Sequence, residues 1–202
     1  MKKMKNIIIT LLFILLNSNN ITAQTLTIVD YSNHQTDDLM GETNIIKYYK
    51  DLNNNFAPFI GKWIWQNGNQ TFEVILWKAT KHPFGNPIKF YSDEIFGHYR
   101  LVENYGLMNE QEIYTSDKYF KNNIQLIPHS IFVGSTNGIN AGGTVHEFSV
   151  PDNAENYAIF GDLSLTKINA NTMQWKVRPI EEAMSIYRVF NIPTDIVLTK
   201  VN

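Results

Sequence analysis

Between Lys62 and Lys78 the chain alternates in a way that only a β-hairpin satisfies. Lys62-Trp63-Ile64-Trp65-Gln66 is aromatic and branched, Asn67-Gly68-Asn69 supplies the turn, and Thr71 to Lys78 forms the return strand. Successive side chains of a strand point to opposite faces. Phe72, Val74 and Leu76 therefore make one wholly apolar face, and Trp63 and Trp65 share the matching face of the first strand. The same period recurs near the C-terminus, where Met173, Trp175 and Val177 alternate with Gln174, Lys176 and Arg178. That strand pairs with Tyr157 to Ile168 across Asn169-Ala170-Asn171, as a second hairpin.

Further strands are expected at Glu94–Glu103, Gln111–Thr115, Asn123–Ile127, Ser130–Gly134, Thr144–Ser149 and Thr194–Val201. Ile95, Gly97, Tyr99 and Leu101 share a face, and the interior glycine marks the bend that closed sheets need. Residues 24–50 read as an extended arm with one short strand at Leu26–Val29, and Asp51 to Phe56 as a helical turn capped by Asp51. Residues 79–92, with His82-Pro83, Gly85 and Pro87, read as a loop. In Pro179–Phe190, a short helix or loop, Ile180, Ala183, Met184 and Tyr187 share a helical face. Many short strands with little helix imply an all-β sandwich or barrel, and no linker divides residues 51–202.

The first 23 residues have a different grammar. Lys2, Lys3 and Lys5 precede an apolar run from Ile7 to Leu16, then a polar stretch and Ile21-Thr22-Ala23-Gln24. This is the plan of a secretory signal cleaved between Ala23 and Gln24. Ten helical residues rise about 15 Å, half of a bilayer core, so the run is too short for a membrane anchor, and the mature chain has no transmembrane segment. There is no cysteine, hence no lipidated cysteine and no disulfide, although export permits one. The expected mature chain, 179 residues with a net charge of −5, is large enough for one real core and too acidic to favour nucleic acid or an anionic membrane. Its expected location is the periplasm or the cell exterior.

Catalytic signatures are missing from the sequence. There is no Gly-x-Ser-x-Gly elbow, no cysteine nucleophile, no His-Glu-x-x-His and no Asp-x-Asp-x-Asp-Gly loop. Gly134-Ser135-Thr136-Asn137-Gly138 lacks the Lys-Ser/Thr of a phosphate loop and reads as a hairpin connection. His34, His82, His98, His129 and His146 have no metal-pair spacing, and His98 fits an outer strand face. Glu73, Glu94 and Glu103 lie on strands, but a carboxylate pair for sugar hydrolysis needs a separation in space that sequence does not show. The expectation is a non-enzyme with no cofactor and no metal.

Phe59-Ile60-Gly61-Lys62-Trp63 resembles the Gly-x-Trp signature that opens the first strand of lipocalin-like barrels, although that superfamily's midway Thr-Asp-Tyr-like loop is not recognisable. The resemblance implies a single antiparallel lipocalin-like β-barrel over residues 51–202, with short helical turns. It implies that Gly61 and Trp63 close one end and that an arginine of a late strand, matched to Arg178, lies over the tryptophan. A longer resemblance runs through Tyr49-Lys50-Asp51-Leu52-Asn53-Asn54, the Phe59–Trp65 segment, Asn67–Phe72 and Pro193–Leu198. Those segments are similar to a family of small exported bacterial proteins of unknown function. Two readings follow. In one, an interior lined by Trp65, Phe72, Val74, Leu76 and Tyr99, with Leu101, Met173, Trp175 and Val177, binds a small apolar or amphipathic ligand. In the other, the interior is a filled core and the domain meets a protein partner through Trp77, Ile75 and Tyr187.

Overall fold

The computed structural model describes residues 25–34, 45–117, 129–148, 159–180 and 190–201. The expected leader, the strand Asn123–Ile127 and the positions Ala183, Met184 and Tyr187 lie outside the described residues. The strands among the described residues are β1 (Thr25–Asp30), β2 (Ile45–Lys50), β3 (Gly61–Asn67), β4 (Gln70–Phe84), β5 (Phe90–Glu103) and β6 (Gln111–Thr115). They continue as β7 (Ile131–Gly134), β8 (Asn140–Glu147), β9 (Ile159–Lys167), β10 (Thr172–Pro179) and β11 (Asp195–Val201). A 3-10 turn, Tyr31–Asn33, follows β1.

Eight strands close on themselves in the order β5-β4-β3-β11-β10-β9-β8-β7, and β7 returns to β5. The fold is all-β, a closed antiparallel barrel. Its seam is short: Ile95, Phe96 and Gly97 of β5 face Val133, Phe132 and Ile131. Closure forces β5 to bend at Gly97, where a Cβ atom would lie 2.7 Å from the Ile75 carbonyl and 2.5 Å from a Leu76 methyl. One edge of β5 serves three partners in turn. Phe90–Ser92 pairs with β2, Ile95–Gly97 with β7 and Arg100–Glu103 with β6.

Two expectations change. Residues 79–92 are a loop only at 85–89, because β4 and β5 continue past a bulge between Ala79 and His82, and His82-Pro83-Phe84 pairs with Ser92-Tyr91-Phe90. β3 pairs only as far as Leu76, so beyond it β4 is an edge strand, where a proline costs no ladder bond. The arm is also more ordered than its sequence implies: β1 runs parallel to β2, and β2 runs parallel to the start of β5. Asp51 does act as a cap, its carboxylate accepting the Asn55 N–H at 2.7 Å and the Phe56 N–H at 3.3 Å, although the segment folds as turns rather than as a helix.

Alternation decides what lies inside. Trp63, Phe72, Val74, Leu76, Ile95 and Tyr99 are buried on β3, β4 and β5. Ile131, Val133, Val145, Leu163 and Leu165 meet them from β7, β8 and β9, and Met173, Trp175, Val177 and Leu198 from β10 and β11. Burying each such side chain contributes about 1.5–3 kcal/mol, and the larger aromatics the most. No helix among the described residues is long and apolar enough to cross a membrane.

Candidate functional site

The nine positions expected to line the interior do face it, and they pack on one another. Phe72, Val74, Leu76, Tyr99, Met173, Trp175 and Val177 are buried in one cluster, with Trp65 and Leu101 half-buried against it. The Phe72 ring lies 5.6 Å from both the Tyr99 and the Trp175 rings. Polar tips are satisfied in place. The Trp175 indole donates to the Pro193 carbonyl at 2.8 Å, and the Tyr99 hydroxyl donates to the His146 carbonyl at 2.6 Å. Residues from different strands thus pack against one another across the barrel interior.

One end is closed by Trp63, whose indole donates to the Phe59 carbonyl at 2.7 Å. The cation over its ring is Lys200, with Nζ 5.2 Å from the centroid, and not Arg178. Arg178 falls on the outward parity of β10 and is bound to Asp162 on the barrel's outer surface. Lys200 shares the inward parity of Ile196 and Leu198, so alternation along β11 identifies it. The Gly-x-Trp spacing then has a physical reason. Gly61 sits at φ 128°, and a Cβ there would lie 3.0 Å from Lys200 Cε, in the path of the cation. Beside it, Lys78 bridges Asp51 at 3.0 Å and Asp93 at 3.1 Å. Burial alone would raise the Asp93 pKa. Bonds from the Tyr48 hydroxyl, the Lys81 and Asp51 N–H groups and Lys78 outweigh burial and hold it low.

Two more carboxylates are buried on the outward face. Glu73 accepts Arg100 Nε at 2.8 Å and the Tyr105 hydroxyl at 2.7 Å, and Lys62 Nζ lies at 3.1 Å. These bonds outweigh its burial and lower its pKa. Among the described residues Glu94 meets no cation: the Tyr31 hydroxyl donates to it at 3.4 Å, and burial pushes its carboxyl up to about 7. Three histidines on outward strand faces, and His129 just before β7, gather among aromatic rings. His129 stacks on Phe96 at 3.6 Å, His82 meets Phe96 at 5.0 Å, His98 meets Trp77 at 5.0 Å and His146 meets Phe160 at 5.7 Å. Burial, with smaller contributions from the other three, drives His129 down to about 4. Among the described residues no three His, Asp or Glu side chains form a group able to hold a metal ion.

The recessed polar surface lies outside the barrel. One open cleft, of about 340 Å³, runs along β4, β5 and β6 beside Glu73, Ile75, His98 and Arg100. Another, of about 320 Å³, lies at the Trp63 end, between the Tyr31–His34 turn, the connection from β7 to β8 and Ser164 of β9. Its loop is tied to itself: Ser135 Oγ donates to the Asn140 carbonyl, and the Asn137 side chain accepts the Ile139 and Asn140 N–H groups. Asn55 clips it to the barrel end through the Thr136 carbonyl at 2.9 Å. Neither Tyr31 nor Lys200 carries a local sequence signal of a site, and His34 has only the absence of a metal-pair spacing. Asn137 and Asn140 were visible only as part of a turn-rich stretch. Of the proposed anchors, Ile75 is exposed, Trp77 is half-buried against His98, and Tyr187 is outside the described residues.

These features define a small closed β-barrel protein with a packed interior and its recessed polar surface on the outside. Within that class, the chain belongs to a family of unknown function, DUF6705, whose family model matches residues 4–201. Comparison with curated proteins and with solved structures gave no match.

Proposed function

We propose that this protein is an exported, non-enzymatic recognition barrel that works through its outer surface rather than through a ligand held inside. The observation that carries this reading is the packed interior. Phe72, Trp175 and Tyr99 occupy the space in which a small apolar molecule would sit, and each is at most 2% exposed. A ligand there would have to displace side chains whose burial is a main source of stability. Export is supported by the lysine start, the short apolar run and the Ala23-Gln24 junction. The non-enzymatic part is supported by the lack of a catalytic motif in the sequence and by Glu73, Asp51 and Asp93, each spent on cations or N–H groups, while buried Glu94 lies behind Tyr31 and accepts its hydroxyl.

The test is to express the full chain, recover it from outside the cytoplasm, sequence its N-terminus and analyse an organic extract by mass spectrometry. The expected results are a chain starting at Gln24 and no stoichiometric apolar compound. A stoichiometric lipid would overturn the surface reading and restore the interior as the site. Retention in the cytoplasm with residues 1–23 attached would overturn export.

A further inference from the structure

We propose that the cleft at the Trp63 end is a binding site for a neutral saccharide, seated against the Tyr31 and His34 rings and held by the Asn137 and Asn140 carboxamides. This rests on the surface-recognition reading and gives it a ligand class. Charge narrows the choice first. Among the described residues no lysine, arginine, aspartate or glutamate lines the cleft, so they offer an ionic ligand no counter-charge for the water it would lose. Its side-chain lining is instead amide, hydroxyl and aromatic, which does not suit a purely apolar ligand.

The donors are fixed and unspent. Asn137 Oδ1 accepts two backbone N–H groups, at 2.9 and 2.8 Å, which sets the orientation of the carboxamide. Its Nδ2 makes no hydrogen bond among the described residues. One end of the Asn140 carboxamide is tied to Thr166 Oγ1 at 3.0 Å, and the other end has no protein partner among the described residues. Each side chain thus offers one hydrogen-bonding end, already oriented, to a ligand hydroxyl.

The aromatic wall is equally fixed. The Tyr31 and His34 rings are 5.6 Å apart and within 14° of parallel. Tyr31 stands edge-on to buried Phe56 at 4.8 Å, and its hydroxyl is held by Glu94. A sugar ring has an apolar C–H face that packs on aromatic rings and a rim of hydroxyls that suits amides and Ser/Thr. At about 320 Å³ the cleft lies near the lower end of small-molecule sites, room for one or two sugar units.

Gly142 supplies a clean test. It lies on β8 in the cleft wall, and a Cβ there would meet nothing within 4 Å. Gly142→Val therefore projects into the cleft from a Cβ position that meets nothing, in a strand that suits valine. The exported full chain, wild type, Gly142→Val and Asn140→Ala, is screened on an array of neutral and anionic glycans. It is also titrated calorimetrically with free neutral mono- and disaccharides. Neutral glycans are expected to bind, and each variant to weaken binding about tenfold or more, Gly142→Val without a change in melting temperature. Binding in both formats identifies a soluble sugar, and binding only to the immobilised chains identifies a surface glycan. The proposal is overturned by no neutral binding in either format, by a preference for anionic glycans, or by binding that both variants leave intact. If the organic extract is empty in those cases, only the saccharide is lost and surface recognition stands.

Discussion

Glu73 and Glu94 are both nearly fully buried glutamates on the outward face of neighbouring strands, yet they sit in opposite electrostatic states. Glu73 has Arg100, Lys62 and Tyr105 around it, and β3, β4, β5 and the turn after β5 meet on its carboxylate. Glu94 has the Tyr31 and Ser92 hydroxyls and the unfavourable charge of Asp93. The first is a structural knot. The second is a carboxyl that burial keeps close to neutral, set behind the ring that walls the cleft. Burial alone does not set the state of a carboxyl; the number of donors that reach it does.

Substitution separates the two. The largest expected effect is from Glu73→Gln, which strips the charge from a buried pair. Arg100 and Lys62 are about a third exposed, so water recovers part of the loss. The expected destabilisation is about 2–3 kcal/mol at neutral pH by urea denaturation, below the range for fully buried pairs. A variant as stable as the wild type would show that the knot holds nothing.

Glu94→Gln comes next and has the opposite sign. The folded-state pKa of Glu94 is raised from 4.5 to about 7, so its stabilising contribution is full below 4.5 and is lost as pH rises through about 7. At pH 8 the glutamine variant is expected to be about 1–2 kcal/mol more stable than the wild type, and below pH 4.5 the two should converge. Glu73 runs the other way. Its pKa is lowered from 4.5, so its contribution is present above 4.5 and is lost on acidification. Parallel pH profiles for the two variants would erase the distinction.

The smallest effects are at the tyrosines. Tyr105→Phe removes a 2.7 Å bond to an ionised carboxylate and is expected to cost about 1 kcal/mol. Below pH 7, where the Glu94 carboxyl is mostly protonated, Tyr31→Phe removes a 3.4 Å bond and is expected to cost less than about 0.5 kcal/mol in thermal melts. Equal losses would mean that Glu94 is ionised after all.

How much of this the sequence carried depends on the range of each signal. The apolar faces at Phe72, Val74 and Leu76 and at Met173, Trp175 and Val177 were readable because period-two alternation is written within a few residues. The Arg178 assignment failed by the same rule, since that residue shares parity with exposed Lys176 while Lys200 shares it with buried Leu198. The extension of β4 through Pro83 was hidden because a proline reads locally as a break. Its tolerance depends on β4 having lost one partner beyond Leu76. Tyr31 and His34 carried no local sign of a site. Their importance comes from Phe56, Glu94 and the β7–β8 loop, all distant in the chain.

By itself, then, the sequence determined the all-β class, the two strongest hairpins and which face of each strand is apolar, because these are properties of backbone period and turn chemistry. Only the tertiary structure decided that one edge of β5 is divided among β2, β7 and β6 and that Lys200 covers Trp63. It alone decided that one buried glutamate is ringed by cations and another is not. The physical reason is closure. Joining eight strands into a ring fixes which distant residues become neighbours, and no local pattern encodes that choice.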